Sequence, residues 1–169
     1  MPEYFDATPR EISLFGKIDY ERYDTMNVTI KKGHYPDVSY YLYPNLQPKK
    51  LGRMMVFYNR WMDDEDQVLT TYVLRKHKDM ESEIPYEEAR KNVLEDLEKC
   101  GCPVDQIIDE HTWYYFPHVS CEDYAAGWYD EVEAMQGTNN TYYAGEIMSF
   151  GDMEETVEYS KALVHRFFE

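Results

Sequence analysis

Two strand-like runs, MMVFYNRW at 54–61 and QVLTTYVLR at 67–75, constrain the fold more than any other feature of the sequence. Both are rich in β-branched and aromatic residues, which favour strands. Only the acidic segment 62–66 separates them, and so short a connection predicts an antiparallel hairpin. We therefore expect a sheet that contains at least one antiparallel strand pair.

Helices are predicted in three places. Thr8, Pro9 and Glu11 form a capping pattern that begins a short helix over about 9–17. A second helix follows Pro85 in PYEEARKNVLEDLEKCG, where apolar residues recur at spacings of three and four until Gly101. The third is a closing helix over 153–168. Its inward stripe is expected to be Met153, Val157, Ser160, Val164 and Phe167.

Further strands are predicted at 23–31, 39–43, 104–117 and 140–144, and one or two helical turns are predicted within 121–137. No repeat, low-complexity segment or linker divides the chain. These elements predict a single α+β domain over 1–169, with a mixed or antiparallel sheet of about five to seven strands covered by helices, and with a C-terminal helix.

Charge and composition exclude several functional classes. The formal net charge of -16 argues against nucleic acid as a partner, since phosphate binding needs clustered lysine and arginine. The sequence shows neither a signal peptide nor a run of about 18 apolar residues, so we expect no membrane partner. The odd number of cysteines, three, predicts free thiols in the reducing cytoplasm.

No metal site is predicted. His111, His118 and Cys121 form only a loose set, because a spacing of seven along a strand puts the two histidines on opposite faces. Cys100 and Cys102 are closer together than the usual zinc pair. The acidic segment 62–66 lacks the oxygen spacing of a calcium loop, so a solvated hairpin end explains it better.

The C-terminal stretch TYYAGEIMSFGDMEETVEYSK, residues 141–161, carries the most functional information. A short aromatic strand leads into Gly145-Glu146, and a loop then leads to a helix that begins near Asp152. The unpaired N–H groups at such a helix end suit an anion or a carbonyl oxygen. By pattern alone, a helix that merely packs on a sheet explains the stretch better.

The residues NTYYAGE at 140–146, followed by Ser149-Phe150 and Met153-Glu154, resemble the C-terminal signature of the flavin-dependent amine oxidase and protoporphyrinogen-oxidase-like superfamily. The resemblance implies that 140–169 is the last strand and helix of an FAD-binding part. Gly145 and Glu146 would then lie beside the pyrophosphate and ribityl chain of FAD. Met153 and Glu154 would lie near the flavin ring.

The upstream residues resemble the substrate domain of the same enzymes, beginning at ATPREISLFGKI. The resemblance implies a pocket for an apolar or amine small molecule, lined by Trp113, Tyr115 and Phe150. By pattern alone, the aromatic residues Tyr40, Tyr41, Tyr43, Trp113, Tyr115 and Phe116 could line such a cavity, but aromatic strand residues more often form a plain core.

Two departures from the superfamily pattern matter. Glu155 and Thr156 stand where many members have Gly and Ala, and no G-x-G-x-x-G occurs anywhere in the chain. Without that glycine-rich turn, FAD would be held only with a separate Rossmann-domain chain. The predicted function is thus a partial or split FAD-dependent oxidoreductase, with no catalytic residue assigned. The alternatives are a non-catalytic binding module derived from that domain and an unrelated α+β protein.

Overall fold

The computed structural model describes residues 6–36, 38–59, 67–76 and 82–169. The acidic segment 62–66 lies outside them. Five helices and five strands are found in this part of the chain, together with four short 3-10 turns. The helices are α1 (Pro9–Phe15), α2 (Tyr86–Lys99), α3 (Cys121–Ala125), α4 (Trp128–Met135) and α5 (Met153–Phe168). The strands are β1 (Asp19–Ile30), β2 (Tyr40–Tyr41), β3 (Met54–Asn59), β4 (Val68–Lys76) and β5 (Val104–His118).

The strands form one antiparallel sheet in the order β2-β3-β4-β1-β5. β3 pairs with β4, Tyr58 lying opposite Thr70, and β4 pairs in turn with β1. The predicted α+β class and the predicted hairpin are therefore confirmed. The strand predicted at 39–43 is only two residues long, because the chain turns at the 3-10 segment Tyr43–Asn45, which contains Pro44.

The chain divides into two compact units, each described here by itself. One comprises Glu21–Tyr115, and the other joins residues up to Tyr20 with Phe116–Glu169. No helix in the described residues is long and apolar enough to cross a membrane.

In the unit Glu21–Tyr115, α2 packs on one face of the sheet. Ala89, Val93 and Leu97 recur at helical spacing and are almost fully buried, as the sequence predicts. They belong to the same core as the inward strand residues, which include Val28, Phe57, Leu69 and Val73. α2 ends at Lys99 with Cys100 as its C-cap, and Gly101 adopts the positive φ of 76° that suits a helix end.

In the other unit, α1 begins with the predicted capping box between Thr8 and Glu11. Its Leu14 and Phe15 pack against Trp128 at the start of α4. The Trp128 side chain is 1% exposed, and its indole N–H donates a hydrogen bond of 2.8 Å to the Leu14 carbonyl. This contact joins the two ends of the sequence in one core.

The prediction of a strand at 140–144 is wrong. A 3-10 turn covers Thr138–Asn140, and Asn139 and Asn140 have positive φ angles of 54° and 56°, which no strand accommodates. After the turn the backbone extends without a ladder partner. The Gln136 side-chain amide takes the place of a neighbouring strand: it accepts from the Tyr143 N–H and donates to the Tyr143 carbonyl, both at 2.7 Å.

The predicted α5 has the right limits, but its inward stripe is only partly right: Ser160 and Phe167 are partly buried, and the other three residues are not. Leu163 is the buried residue of this helix, and Thr156, Tyr159 and Phe167 on the same side are partly buried. The predicted residues Met153, Val157 and Val164 are exposed instead, by 87%, 63% and 48%. The helix is apolar on two adjoining sides, so periodicity alone does not determine which side faces the unit.

Candidate functional site: an aromatic groove and a cavity at the start of the last helix

Five tyrosine rings cross the sheet on the face opposite α2, one from each strand. In spatial order from β2 to β5 they are Tyr41, Tyr58, Tyr72, Tyr23 and Tyr115, which we call the tyrosine row. Successive ring centroids lie 6.2, 5.5, 5.9 and 5.3 Å apart. These separations are typical of interacting aromatic pairs. The row is therefore a continuous aromatic surface.

Strand alternation produces this surface. In β1, Met26 and Val28 point into the core under α2, so Tyr23 and Thr25 point to the other face. In β4, Leu69 and Val73 are buried in the same way, and Thr70 and Tyr72 alternate with them. Register then places Thr25 opposite Tyr72.

A cavity of about 500 Å³ lies over the part of the row nearest to β5. It is lined by Tyr23, Thr25, Thr70, Tyr72, Trp113 and Tyr115. The Trp113 indole N–H donates to the Thr25 hydroxyl at 3.0 Å, which fixes the orientation of the indole ring. We call this cavity the aromatic groove.

The lining residues of the aromatic groove carry no formal charge. Burial, followed by the nearby Tyr115 and Tyr72, raises the pKa of Tyr23 to about 12. The Tyr23 phenol therefore stays protonated at neutral pH and offers a hydroxyl donor. The groove suits a long apolar molecule.

Two of the three residues predicted for a substrate pocket, Trp113 and Tyr115, line this groove. Phe150 does not: it belongs to the other unit, where its ring meets Phe116 edge-on at 5.9 Å. Sequence reasoning missed Tyr23, Thr25, Thr70 and Tyr72. The available signal was the alternation of these residues with buried apolar ones along β1 and β4.

A second cavity, of about 360 Å³, lies at the start of α5. It is lined by Glu146, Gly151, Asp152, Met153, Thr156 and Val157. Asp152 caps the helix by accepting a 2.9 Å hydrogen bond from the Glu155 N–H. We call this the helix-start cavity.

One carboxylate oxygen of Glu146, Oε1, is buried and has no hydrogen-bond partner among the described residues. A Cβ at position 151 would lie 2.9 Å from this oxygen, so Gly151 leaves the space it needs. A buried acceptor without a donor is costly unless a ligand or water supplies one. Glu146 is thus the polar group that this cavity offers to a ligand.

The four residues predicted to contact a cofactor are brought together only in part. Glu146 and Met153 line the helix-start cavity, and Gly145 directly precedes Glu146 with a φ of 117°. Glu154 is exposed and does not line it. Of the two residues that replace Gly and Ala of the superfamily pattern, Glu155 is exposed as well, whereas Thr156 contributes to the wall.

Among solved structures, this chain is similar to that of a CLA-producing fatty acid isomerase from P. acnes. The two are 51% identical, and the TM-score is 0.93 over 99% of this chain. The chain spans 39% of the length of that isomerase. No family model matches the sequence, and the search of curated proteins gave no match.

This comparison corrects the functional prediction. A short stretch, NTYYAGE with the residues after it, led to the amine oxidase superfamily and to a partial or split FAD-dependent oxidoreductase. The likeness to a fatty acid isomerase extends over almost the whole chain and overturns both assignments. A match at 51% identity over 99% of the chain outweighs a motif of seven residues.

Proposed function

We propose that this chain forms the acyl-chain-binding part of a fatty acid isomerase. The observation that carries the proposal is the uncharged aromatic groove over the tyrosine row. The likeness to a CLA-producing fatty acid isomerase supports it by naming an apolar chain as the substrate class. The groove supplies a surface of matching character.

The extent of the aromatic surface fits a long chain. Five strands span four inter-strand spacings, or roughly 19 Å. The tyrosine row continues across this whole width, with Tyr41 at the β2 edge and Tyr115 at the β5 end. An extended long-chain acyl group would contact several rings at once, and a short-chain acid only one or two.

An uncharged groove suits an isomerisation. Moving a double bond adds no group to the substrate. The binding site therefore has to hold the acyl chain in one conformation and keep water from the reacting carbons. The hydroxyls of Tyr23, Thr25 and Thr70 are protonated donors at neutral pH, and none is a general base. We assign these residues to binding and positioning.

Oleate is expected to quench the fluorescence of this chain, because Trp113 lines the groove while Trp128 is buried in the other unit. Tyr72→Ala removes the central ring of the row and should weaken oleate binding by about tenfold, the equivalent of ~1.4 kcal/mol. The measurement is a fluorescence titration, with Trp113→Phe identifying the reporter.

Tyr114→Ala is the matched control for Tyr72→Ala. Tyr114 alternates with the groove residues Trp113 and Tyr115 along β5, and its ring lies 3.7 Å from the Arg22 guanidinium carbon. Oleate affinity should be unchanged in this variant. Equal losses in both variants, or no oleate binding by the unmodified chain, would contradict the proposal.

We also propose the helix-start cavity as a cofactor contact, with FAD as the candidate when further polypeptide completes the site. The unpartnered Glu146 carboxylate oxygen supports this, since it can accept from a ribityl or ribose hydroxyl. FAD would supply the redox-active ring. Gly145, Glu146 and Met153 would form one wall around it.

Glu146→Ala is expected to reduce FAD retention at least about tenfold when the chain is combined with the polypeptide that completes the isomerase. Glu154→Ala is the control, since Glu154 is exposed and does not line the cavity. Flavin absorbance after gel filtration measures retention. Equal retention by both variants would exclude Glu146 as a contact.

A cytoplasmic location for the chain is likewise a proposal. Its support is the state of the three cysteines, all of which are free thiols in the structure. Fractionation of expressing cells tests it, and recovery of the chain outside the cytoplasm would refute it.

A further inference from the structure

The last helix has an apolar side that nothing in the described residues covers. Met153, Val157, Val164 and Phe168 are 87%, 63%, 48% and 65% exposed. At 3.6 residues per turn, these positions lie within an arc of about 60°. We call this side the outer face of α5.

The outer face is distinct from the side of α5 that holds the helix in its unit. Leu163 is buried on that inner side, and Tyr159 donates a hydrogen bond to Glu133 and receives one of 3.0 Å from Gln136. A surface helix of a globular protein needs one apolar side. α5 has two, and the inner side alone anchors it.

The outer face continues into neighbouring apolar features. Met153 and Val157 also line the helix-start cavity, and Phe150, 58% exposed, lies just before the helix. Glu154 and Lys161 follow the outer face along one border and are exposed. An apolar centre with a charged border is typical of a protein interface.

The comparison with the solved isomerase indicates what covers the outer face. That protein matches this chain over 99% of the chain, yet 61% of its own length lies outside the match, since the matched share is 39%. The matched region itself has the same fold, with a TM-score of 0.93 at 51% identity. The exposed side of α5 and the unmatched 61% of the isomerase therefore indicate the same candidate partner.

We propose that the outer face of α5 binds polypeptide corresponding to the part of the fatty acid isomerase outside the matched region. This binding covers Met153 and Val157 and closes the open side of the helix-start cavity. Binding at the outer face would occur whether or not the aromatic groove holds a fatty acid.

The test combines this chain with the unmatched part of the P. acnes isomerase, produced as a separate polypeptide, and measures affinity by isothermal titration calorimetry. Val157→Lys with Val164→Lys places two charges in the outer face and should weaken binding at least about a hundredfold. Ala162→Lys is the matched control, because residue 162 is exposed on the opposite side of α5. It should bind like the unmodified chain.

If the separate polypeptide does not fold alone, the two parts are expressed as one chain with a cleavable linker, and co-elution is measured after cleavage. Co-elution that is lost only in the double lysine variant supports the proposal. Equal affinity of the double variant and the control, or no binding by the unmodified chain, overturns it. Concentration-dependent dimers that the double variant abolishes, without binding to the isomerase part, would also overturn it, since the occupant would then be a second copy.

Discussion

Replacing Arg75 with methionine is expected to lower the free energy of unfolding of the unit Glu21–Tyr115 by about 3–5 kcal/mol. The Arg75 side chain is 6% exposed, and its guanidinium pairs with Asp24 and Glu83. It also donates to the Ile84 carbonyl at 2.9 Å and to the Thr112 hydroxyl at 3.3 Å. One side chain thus joins β4, β1, β5 and the segment before α2.

The expected loss of stability arises because the substitution leaves the buried Asp24 carboxylate without its cation. Burial alone would lower the pKa of Arg75, but the bonds to Asp24 and Glu83 raise it above its ordinary value. Methionine fills much of the space and removes the charge. The Asp24 carboxylate, whose side chain is 9% exposed, would keep one hydrogen bond, from the Thr112 hydroxyl at 2.7 Å, and lose its cation.

Urea denaturation followed by far-UV circular dichroism measures this loss. Adding Asp24→Asn to Arg75→Met removes the unpaired charge and should recover part of the stability. Arg90→Met is the control, because the Arg90–Glu110 pair is more exposed, at 33% and 24%, and should cost about 1 kcal/mol or less. If Arg75→Met cost no more than Arg90→Met, the buried network would not be a main source of stability.

Replacing Trp128 with alanine should cost about 3–5 kcal/mol in the unit that contains α1, α3, α4 and α5. Trp128 is 1% exposed and lies in the core with Leu14, Phe15 and Val132. Its ring meets that of Phe15 edge-on at 6.1 Å. Removal of the indole opens a cavity between α1 and α4 and breaks the contact between distant parts of the sequence.

Trp128→Phe separates packing from hydrogen bonding. Phenylalanine keeps most of the apolar volume but cannot donate to the Leu14 carbonyl, so about 1–3 kcal/mol should be lost. The measurement is urea denaturation monitored by near-UV circular dichroism. A loss below about 1 kcal/mol in the alanine variant would show that this core does not hold α1 in place.

The sequence predicted elements well wherever local signals agreed. Pro85, the apolar spacing of Ala89, Val93 and Leu97, and Gly101 all point to one helix, and α2 forms there. Prediction failed at 140–144, where aromatic residues favour a strand but two asparagines adopt positive φ angles. The Gln136 side chain that binds Tyr143 there lies outside the stretch that propensity describes.

Sequence analysis identified some residues of the candidate site and missed others. Trp113 and Tyr115 were identified from a cluster of aromatic residues in one strand. Tyr72 and Tyr23 were missed, because only the order of the strands brings their rings next to Tyr115 and Tyr58. Glu146 was identified through a resemblance, but its unpartnered oxygen is a tertiary feature.

By itself, the sequence determined the α+β class, the central hairpin and the limits of α2 and α5. These follow from hydrophobic period and turn residues, which act over a few neighbouring positions. Only the tertiary structure decided which side of α5 faces the core and that five tyrosines form one row across the sheet. Both depend on contacts between residues far apart in sequence, and the free energy of those contacts selects among arrangements that local preference leaves open.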